Sequence, residues 1–207
     1  MTKYINNIRK HFNSQDYPVF TLVDMRVFLS NTSISPRYLK IIINNLIKTK
    51  EIIRIARGVY TFHKDMAVVG FAFRPFYYGL EDALTYRNLW TQSTNPIVIT
   101  TNNVREGMRK FAGQNYIVKR TNPVLFFGFG FIKYYDLWIP VSDPEKTLID
   151  LVYYHHDVRD DALVKLLESL NRGRLEEYLK SYSRHFRKKV MDVISSKDKN
   201  AVMLEPA

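Results

Sequence analysis

The stretch ISPRYLKIIINNLIKTKEIIRIARGVYTF, residues 34–62, decides how the first part of this chain folds. Ser35 and Pro36 are suited to the capping and first helical positions, and they predict a helix running to about Lys48. At about 100° per residue, Leu39, Ile42, Ile43, Leu46 and Ile47 fall on one side, the spacing of a buried face. The opposite side holds Arg37, Ile41, Asn44 and Lys48, with Tyr38 and Lys40 on its flanks. Beyond the helix, EIIRIARGVYTF alternates on each side of Arg57-Gly58, where glycine supports the tight turn of a hairpin.

Upstream, Ile5, Ile8 and Phe12 line one helical stripe with Tyr4 beside it, and DYP ends that helix because a residue before proline is pushed out of the α region. FTLVDMRVFL predicts a second helix, with Thr21 and Asp24 as a capping box and Phe20 placed for a staple. Three helices followed by a basic-tipped hairpin is the layout of a winged helix-turn-helix over residues 1–65, with the third helix as reader and the hairpin as wing. Arg37 can donate a fork to guanine, Asn44 can pair with adenine, and Ile41 can touch a thymine methyl, with Tyr38 on the flank of the same surface. Lys40, Lys48, Arg54 and Arg57 suit phosphate contacts. The alternative is an ordinary core helix with a solvated polar face.

Charge favours the first of these. The chain has 207 residues and a formal net charge of +11. Residues 1–65 hold 11 Lys/Arg against 4 Asp/Glu, whereas residues 66–207 hold 20 against 16, so under a third of the chain carries most of the excess. So local a bias points to a polyanionic partner, double-stranded DNA above all. The chain has no cysteine, which excludes disulfides, thiolate zinc sites and a cysteine nucleophile. The longest apolar runs are too short to cross a bilayer and MTKYINNIRKHF has no secretion-signal core, so a cytoplasmic protein without membrane partners is expected.

From about residue 66 aromatic residues become dense and the charges balance. YYGLEDALTYRNLW predicts a helix after Gly79 with Leu80, Ala83, Leu84 and Trp90 in the core, and NPIVITT predicts a buried strand. MRKFAGQNYIVKR reads as a hairpin turning near Gly113-Gln114-Asn115, and VLFFGFGFI and DLWIPV read as strands. After SDP, where Asp143 can cap and Pro144 can open a helix, four helical segments follow. Strands followed by helices make residues 66–207 an α+β domain ending in a helical bundle.

Catalytic chemistry is hard to find. GFGF is neither a dinucleotide fingerprint nor a phosphate loop, and glycine among aromatics marks a bend or close packing. His155 and His156, adjacent on a helix, would point about 100° apart, unlike the i, i+4 pair of a zinc helix. Asp143 reads as a cap, Glu145 as a first-turn charge and Asp150 as a solvated position. No catalytic residue, metal or cofactor is expected. A second basic cluster, Arg172, Arg174, Lys180, Arg184, Arg187, Lys188 and Lys189, could solubilise the C-terminal end or dock on nucleic acid or an acidic partner.

Laid out this way, the chain resembles the AbiEi family of antitoxins. The resemblance rests on a wing ending RGVYTF, then YYGLEDALTYRNLW, PIVITT and VSDPEKTLIDLVYY leading into a helical tail, and it runs over almost the whole length. It implies a repressor-antitoxin whose N-terminal winged helix binds inverted repeats in its own promoter, two copies to an operator. The C-terminal antitoxin domain would antagonise a nucleotidyltransferase-type toxin, with or without touching it. Two other readings stand beside it: a transcription regulator of the same architecture without a toxin, and a nucleic-acid-processing enzyme.

Overall fold

The computed structural model describes residues 2–14, 16–92 and 94–202, with side chains from residue 4 to residue 196 of these. Its first part is built around one apolar cluster. Helix α1 (Thr2–Phe12) is followed by a two-residue strand β1 (Phe20–Thr21), α2 (Leu22–Phe28), α3 (Pro36–Lys48) and the hairpin β2 (Ile53–Ala56) and β3 (Val59–Thr61). The strands form an antiparallel sheet in the order β1-β3-β2, with Phe20 opposite Tyr60 and Ile53 opposite Thr61. The capping box forms as the sequence predicts: the Thr21 hydroxyl accepts from the backbone of Val23 and Asp24, and Asp24 accepts the Thr21 N–H at 2.7 Å. Phe20 goes further than a staple, because its backbone closes the sheet and its ring is fully buried beside Phe12 and Phe62.

Ser35 caps α3, accepting from the Tyr38 N–H, and Leu39, Ile42, Ile43 and Leu46 are buried against Ile8, Phe12 and Met25. Each such side chain contributes about 1.5–3 kcal/mol relative to exposure. Ile47 departs from expectation. It is 36% exposed, because the fifth position of the stripe lies past the edge of what α1 and α2 cover.

The second part is a mixed sheet with a layer on each face, and the fold as a whole is α+β. A 3-10 helix (Met66–Phe73) precedes β4 (Phe76–Tyr78), α4 (Leu80–Tyr86), β5 (Ile97–Thr100), β6 (Gly107–Phe111), β7 (Gln114–Arg120), β8 (Phe129–Tyr134) and β9 (Leu137–Ser142). Four helices close the described chain: α5 (Pro144–Tyr153), α6 (Asp160–Glu168), α7 (Arg172–Leu179) and α8 (Arg184–Val202). The strand order is β6-β7-β5-β4-β9-β8, parallel at β5/β7 and β4/β9 and antiparallel elsewhere. Alternation along the strands sorts the core. Tyr77, Ile97 and Ile99 face the helices, while Phe76, Tyr78 and Val98 face the 3-10 helix. Central strands covered on both sides have no solvent-facing side, which is why Ile97, Val98 and Ile99 are apolar in succession and the buried Thr100 hydroxyl bonds to the backbone of Phe73 and Pro75. Ile55 of the first hairpin joins the second face, and the Tyr116 hydroxyl donates to its carbonyl at 3.2 Å, so the hairpin serves both parts of the molecule.

Three local expectations need correction. The β6–β7 turn is Ala112-Gly113, since Phe111 pairs with Gln114; both turn residues take positive φ. In VLFFGFGFI only the second half is strand, because Asn122 caps a short 3-10 turn at Pro123–Leu125. Helix α4 stops at Tyr86, leaving Trp90 half-buried in the following loop. Gly128 does the close packing anticipated for GFGF: at φ +73° a Cβ there would lie 2.8 Å from the Lys146 Cβ.

The largest correction concerns α5. Asp143 and Pro144 open it as expected, with the Asp143 side chain accepting the Lys146 N–H. Asp150 is not solvated, and Glu145 is not a surface charge; each is 1% exposed. Helix α5 is packed against β9, α4, α6, α7 and α8, so its polar stripe has nowhere to face but inward. The Lys146 ammonium pairs with Asp150 at 2.7 Å, and Tyr77 donates to the other Asp150 oxygen at 2.8 Å. Burial pushes the Asp150 carboxyl above its usual range, with Lys146 opposing the shift. Glu145 accepts the Asn171 N–H at 2.6 Å and so ties α5 to the start of α7. Among the described residues no helix is long and apolar enough to cross a membrane.

Candidate nucleic-acid interface

The residues predicted to face away from the apolar stripe of α3 do so. Arg37, Lys40, Ile41, Asn44 and Lys48 are exposed, Ile41 by 43%, while Tyr38 is half-buried against the core beneath. An exposed isoleucine amid cations and an asparagine forms a surface with hydrogen-bond donors at its ends and a methyl-bearing patch between them. The hairpin stands beside it. Ala56 pairs with Val59, so Arg57-Gly58 is a two-residue turn, and Gly58 at φ +78° takes the left-handed conformation such a turn requires. Arg57 is exposed at this tip. Arg54 is exposed too, but its Nε donates to the Ala56 carbonyl at 3.2 Å, which folds its stem back along the hairpin.

Three of the four acidic residues of this part, Asp24, Glu51 and Asp65, are engaged by other groups. Asp24 is engaged by Thr21, and Asp65 accepts the Ala67 N–H. Glu51 receives Arg9 in a fork at 2.6 and 2.8 Å, which joins α1 to the end of α3 and holds the Glu51 carboxyl below its usual range. Among the described residues Arg37, Lys40, Lys48 and Arg57 have no carboxylate partner. The positive field of α3 and the hairpin tip is therefore unopposed locally, the condition under which it attracts a polyanion.

The C-terminal cluster is less uniform than its sequence. All seven residues are exposed. Arg187, however, donates to the carbonyls of Tyr182 and Lys180 at 2.9 and 3.1 Å, satisfying the open end of α7, and Arg174 lies 3.6 Å from Glu145. Those two are held by the fold. Arg184, Lys188 and Lys189 crowd the first turns of α8, which has no acidic residue in its first turn. Cations at that positive end do nothing for helix stability, so the cluster is not explained by the helix that carries it.

The histidine pair sits outside any helix. α5 ends at Tyr153, His155 adopts φ +50°, and His156 lies 3.2 Å from Glu81. Among the described residues no group of three or more His, Asp or Glu is placed to hold a metal ion. Sequence reasoning missed two buried polar features, the Lys146–Asp150 pair and Asp82 on α4. For Asp82 a signal existed: Glu81 and Asp82 are adjacent on a short helix, so both cannot face the same way.

No protein-family model matches the chain, and no curated protein matches it. A solved structure does, described as "Crystal structure of RV2827C protein from Mycobacterium tuberculosis". The two chains share 12% identity with a TM-score of 0.61, over 94% of this chain and 76% of that one. At that identity the likeness establishes a shared fold.

Proposed function

We propose that this protein is a DNA-binding antitoxin and autorepressor of the AbiEi type. Residues 1–65 act as a winged helix-turn-helix on inverted repeats of its own promoter, and residues 66–207 act as the domain that antagonises a nucleotidyltransferase-type toxin. One observation carries the DNA-binding half. The outer face of α3 and the tip of the neighbouring hairpin expose Arg37, Lys40, Asn44, Lys48 and Arg57, with the nearby carboxylates engaged elsewhere. The element order and the β1-β3-β2 sheet support the same reading, since they set a capped helix beside a two-stranded wing. Seated in a major groove, Arg37 offers two donors to guanine and Asn44 a donor and an acceptor to adenine, while Lys40, Lys48 and Arg57 meet phosphates.

The antitoxin half rests on the resemblance of GLEDAL, PIVITT and DPEKTLID to the family. The structure gives those blocks a shared physical role: they form α4, β5 and α5, which pack together around Tyr77, Leu84, Ile97 and Leu148. The test has two arms. Footprinting on the DNA upstream of its own gene should give two protected half-sites about one helical turn or a multiple apart. Co-expression with the neighbouring gene should show rescue by a chain beginning near residue 67, without repression. Protection that ignores sequence removes the repressor role. Rescue that needs the intact N-terminal part removes the division of labour.

A further inference from the structure

A cleft of about 610 Å³ opens where the connection from β3 meets the large sheet, within the size range of small-molecule sites. It is lined by Lys64, Asp65 and Met66, by Asp82, Thr85 and Tyr86 of α4, and by Lys133 and Tyr134 of β8. Asp82 is the unusual member. It is 4% exposed and has no cation within ion-pair distance among the described residues. Its two contacts, from the Thr94 hydroxyl and the Ile97 N–H, are both long at 3.3 Å. Asp82 occupies the third position of α4, where a carboxyl ordinarily reaches back to the capping residue. Here the Gly79 N–H goes to the Ile97 carbonyl instead, leaving Asp82 turned toward the cleft.

A carboxyl without a countercharge is costly to bury, and this one retains hydrogen-bonding capacity on both oxygens. Burial raises it to about 8, so near neutrality it can donate through one oxygen and accept through the other. Tyr86 and Tyr134, edge to face with centroids 5.0 Å apart, give the cleft an aromatic wall. Lys64 and Lys133 stand exposed at the rim. A paired donor and acceptor, an aromatic corner of two rings at 85° and two cations answer three parts of one ligand: the hydrogen-bonding edge of a base, its ring, and a phosphate.

We propose that this cleft binds a nucleoside monophosphate, with the hydrogen-bonding edge of its base at Asp82, the ring against Tyr86 and Tyr134, and the phosphate at Lys64 and Lys133. The site is distinct from the α3 face and does not depend on duplex binding. A carboxyl that keeps its proton offers one donor and one acceptor, which pair with the N1 and amino group of adenine, the N3 and amino group of cytosine, or the O4 and N3–H of uracil, so the site selects a nucleotide rather than one base. The phosphate would bind chiefly by charge, so the lysines govern nucleotide over nucleoside.

Titration calorimetry on the full chain near pH 7 tests this with AMP, CMP, UMP, adenosine and inorganic phosphate. AMP, CMP and UMP should bind with submillimolar Kd, about tenfold tighter than adenosine, while phosphate alone should not compete. The rim variant Lys64→Ala/Lys133→Ala, whose side chains are exposed, should bring AMP down to the adenosine level and leave adenosine unchanged. Asp82→Leu, which keeps the branched shape and removes both oxygens, should abolish nucleotide binding, whereas Asp82→Asn, which keeps a donor and an acceptor, should retain it, each with a melting profile showing that it folds. No binding of any nucleotide, undiminished binding by a folded Asp82→Leu variant, or affinity indifferent to the rim variant would each overturn the proposal.

Discussion

Substituting Lys146 or Asp150 should destabilise the protein far more than their place in an ordinary-looking helix suggests. The two side chains are 1% and 2% exposed, and their charges meet at 2.7 Å. Lys146 also donates to the Tyr182 hydroxyl at 3.1 Å and lies 5.2 Å from the Phe127 ring centroid, so no water stands ready to take over either charge. Asp150→Asn keeps an acceptor for Tyr77 but leaves the ammonium buried without a counterion. Lys146→Met keeps the volume and strands the carboxylate instead. Breaking a buried pair from one side costs about 3–5 kcal/mol. In a chain of this size that lowers Tm by roughly 6–20 °C, taking about 2–4 °C per kcal/mol. The double substitution Lys146→Met/Asp150→Leu removes both charges and should cost less than either single change, because replacing a buried pair with apolar groups is often neutral or favourable. Urea denaturation followed by circular dichroism measures all three, with the slope checked for a constant unfolded state. The reasoning fails if either single variant loses under about 1 kcal/mol, or if the double variant loses the sum of the two.

Arg37→Ala and Asn44→Ala should each shrink the preference for the operator over a scrambled duplex by about 1–3 kcal/mol, whereas Arg57→Ala should weaken both duplexes alike; an unchanged ratio in competition binding moves base reading to another element. With five exposed cations on α3 and the hairpin (Arg37, Lys40, Lys48, Arg54 and Arg57), binding of one unit should fall with salt at a logarithmic slope of roughly −4.5, and Lys40→Ala should reduce the slope by about one. A slope near zero rules out phosphate contact. The Asp82 carboxyl, raised by burial to about 8, keeps a proton that the unfolded chain gives up above its ordinary range near 4. Its contribution to stability is therefore full at low pH and lost as pH rises toward 8. Asp82→Asn should remove that falling component in urea melts across the window, and parallel curves for the two proteins would contradict it. Charge reversal at Arg184, Lys188 and Lys189 should abolish toxin rescue without lowering the melting midpoint, while Arg187→Glu should lower the midpoint by freeing the Lys180 and Tyr182 carbonyls. Rescue by the triple variant would leave that cluster as a solubilising surface.

Much of the local structure was legible because its causes are local. Ser35-Pro36, Thr21 with Asp24 and Asp143-Pro144 each mark a helix start through a side chain bonding within its own turn, and all three helices begin there. The apolar stripe of α3 predicted which four residues bury, and failed only at Ile47, where burial depends on how far α1 and α2 reach. The cationic face opposite was legible for the same reason: once one face of a helix is buried, the other is known.

What the chain could not disclose locally is what packs against what. KTLID has the alternation of a half-exposed helix, and only the closing of α6, α7 and α8 over it turned Glu145, Lys146 and Asp150 into interior residues. The pairing of Arg187 with α7 and the gathering of Lys64, Asp82 and Lys133 around one cleft arise the same way, from segments far apart in sequence. The sequence by itself determined the helix starts, the strand alternation, the α+β composition and the cationic face of α3, because backbone capping and side-chain periodicity act within a few residues. The tertiary structure alone decided which polar groups lose their water, because desolvation is set by neighbours that the sequence does not place side by side.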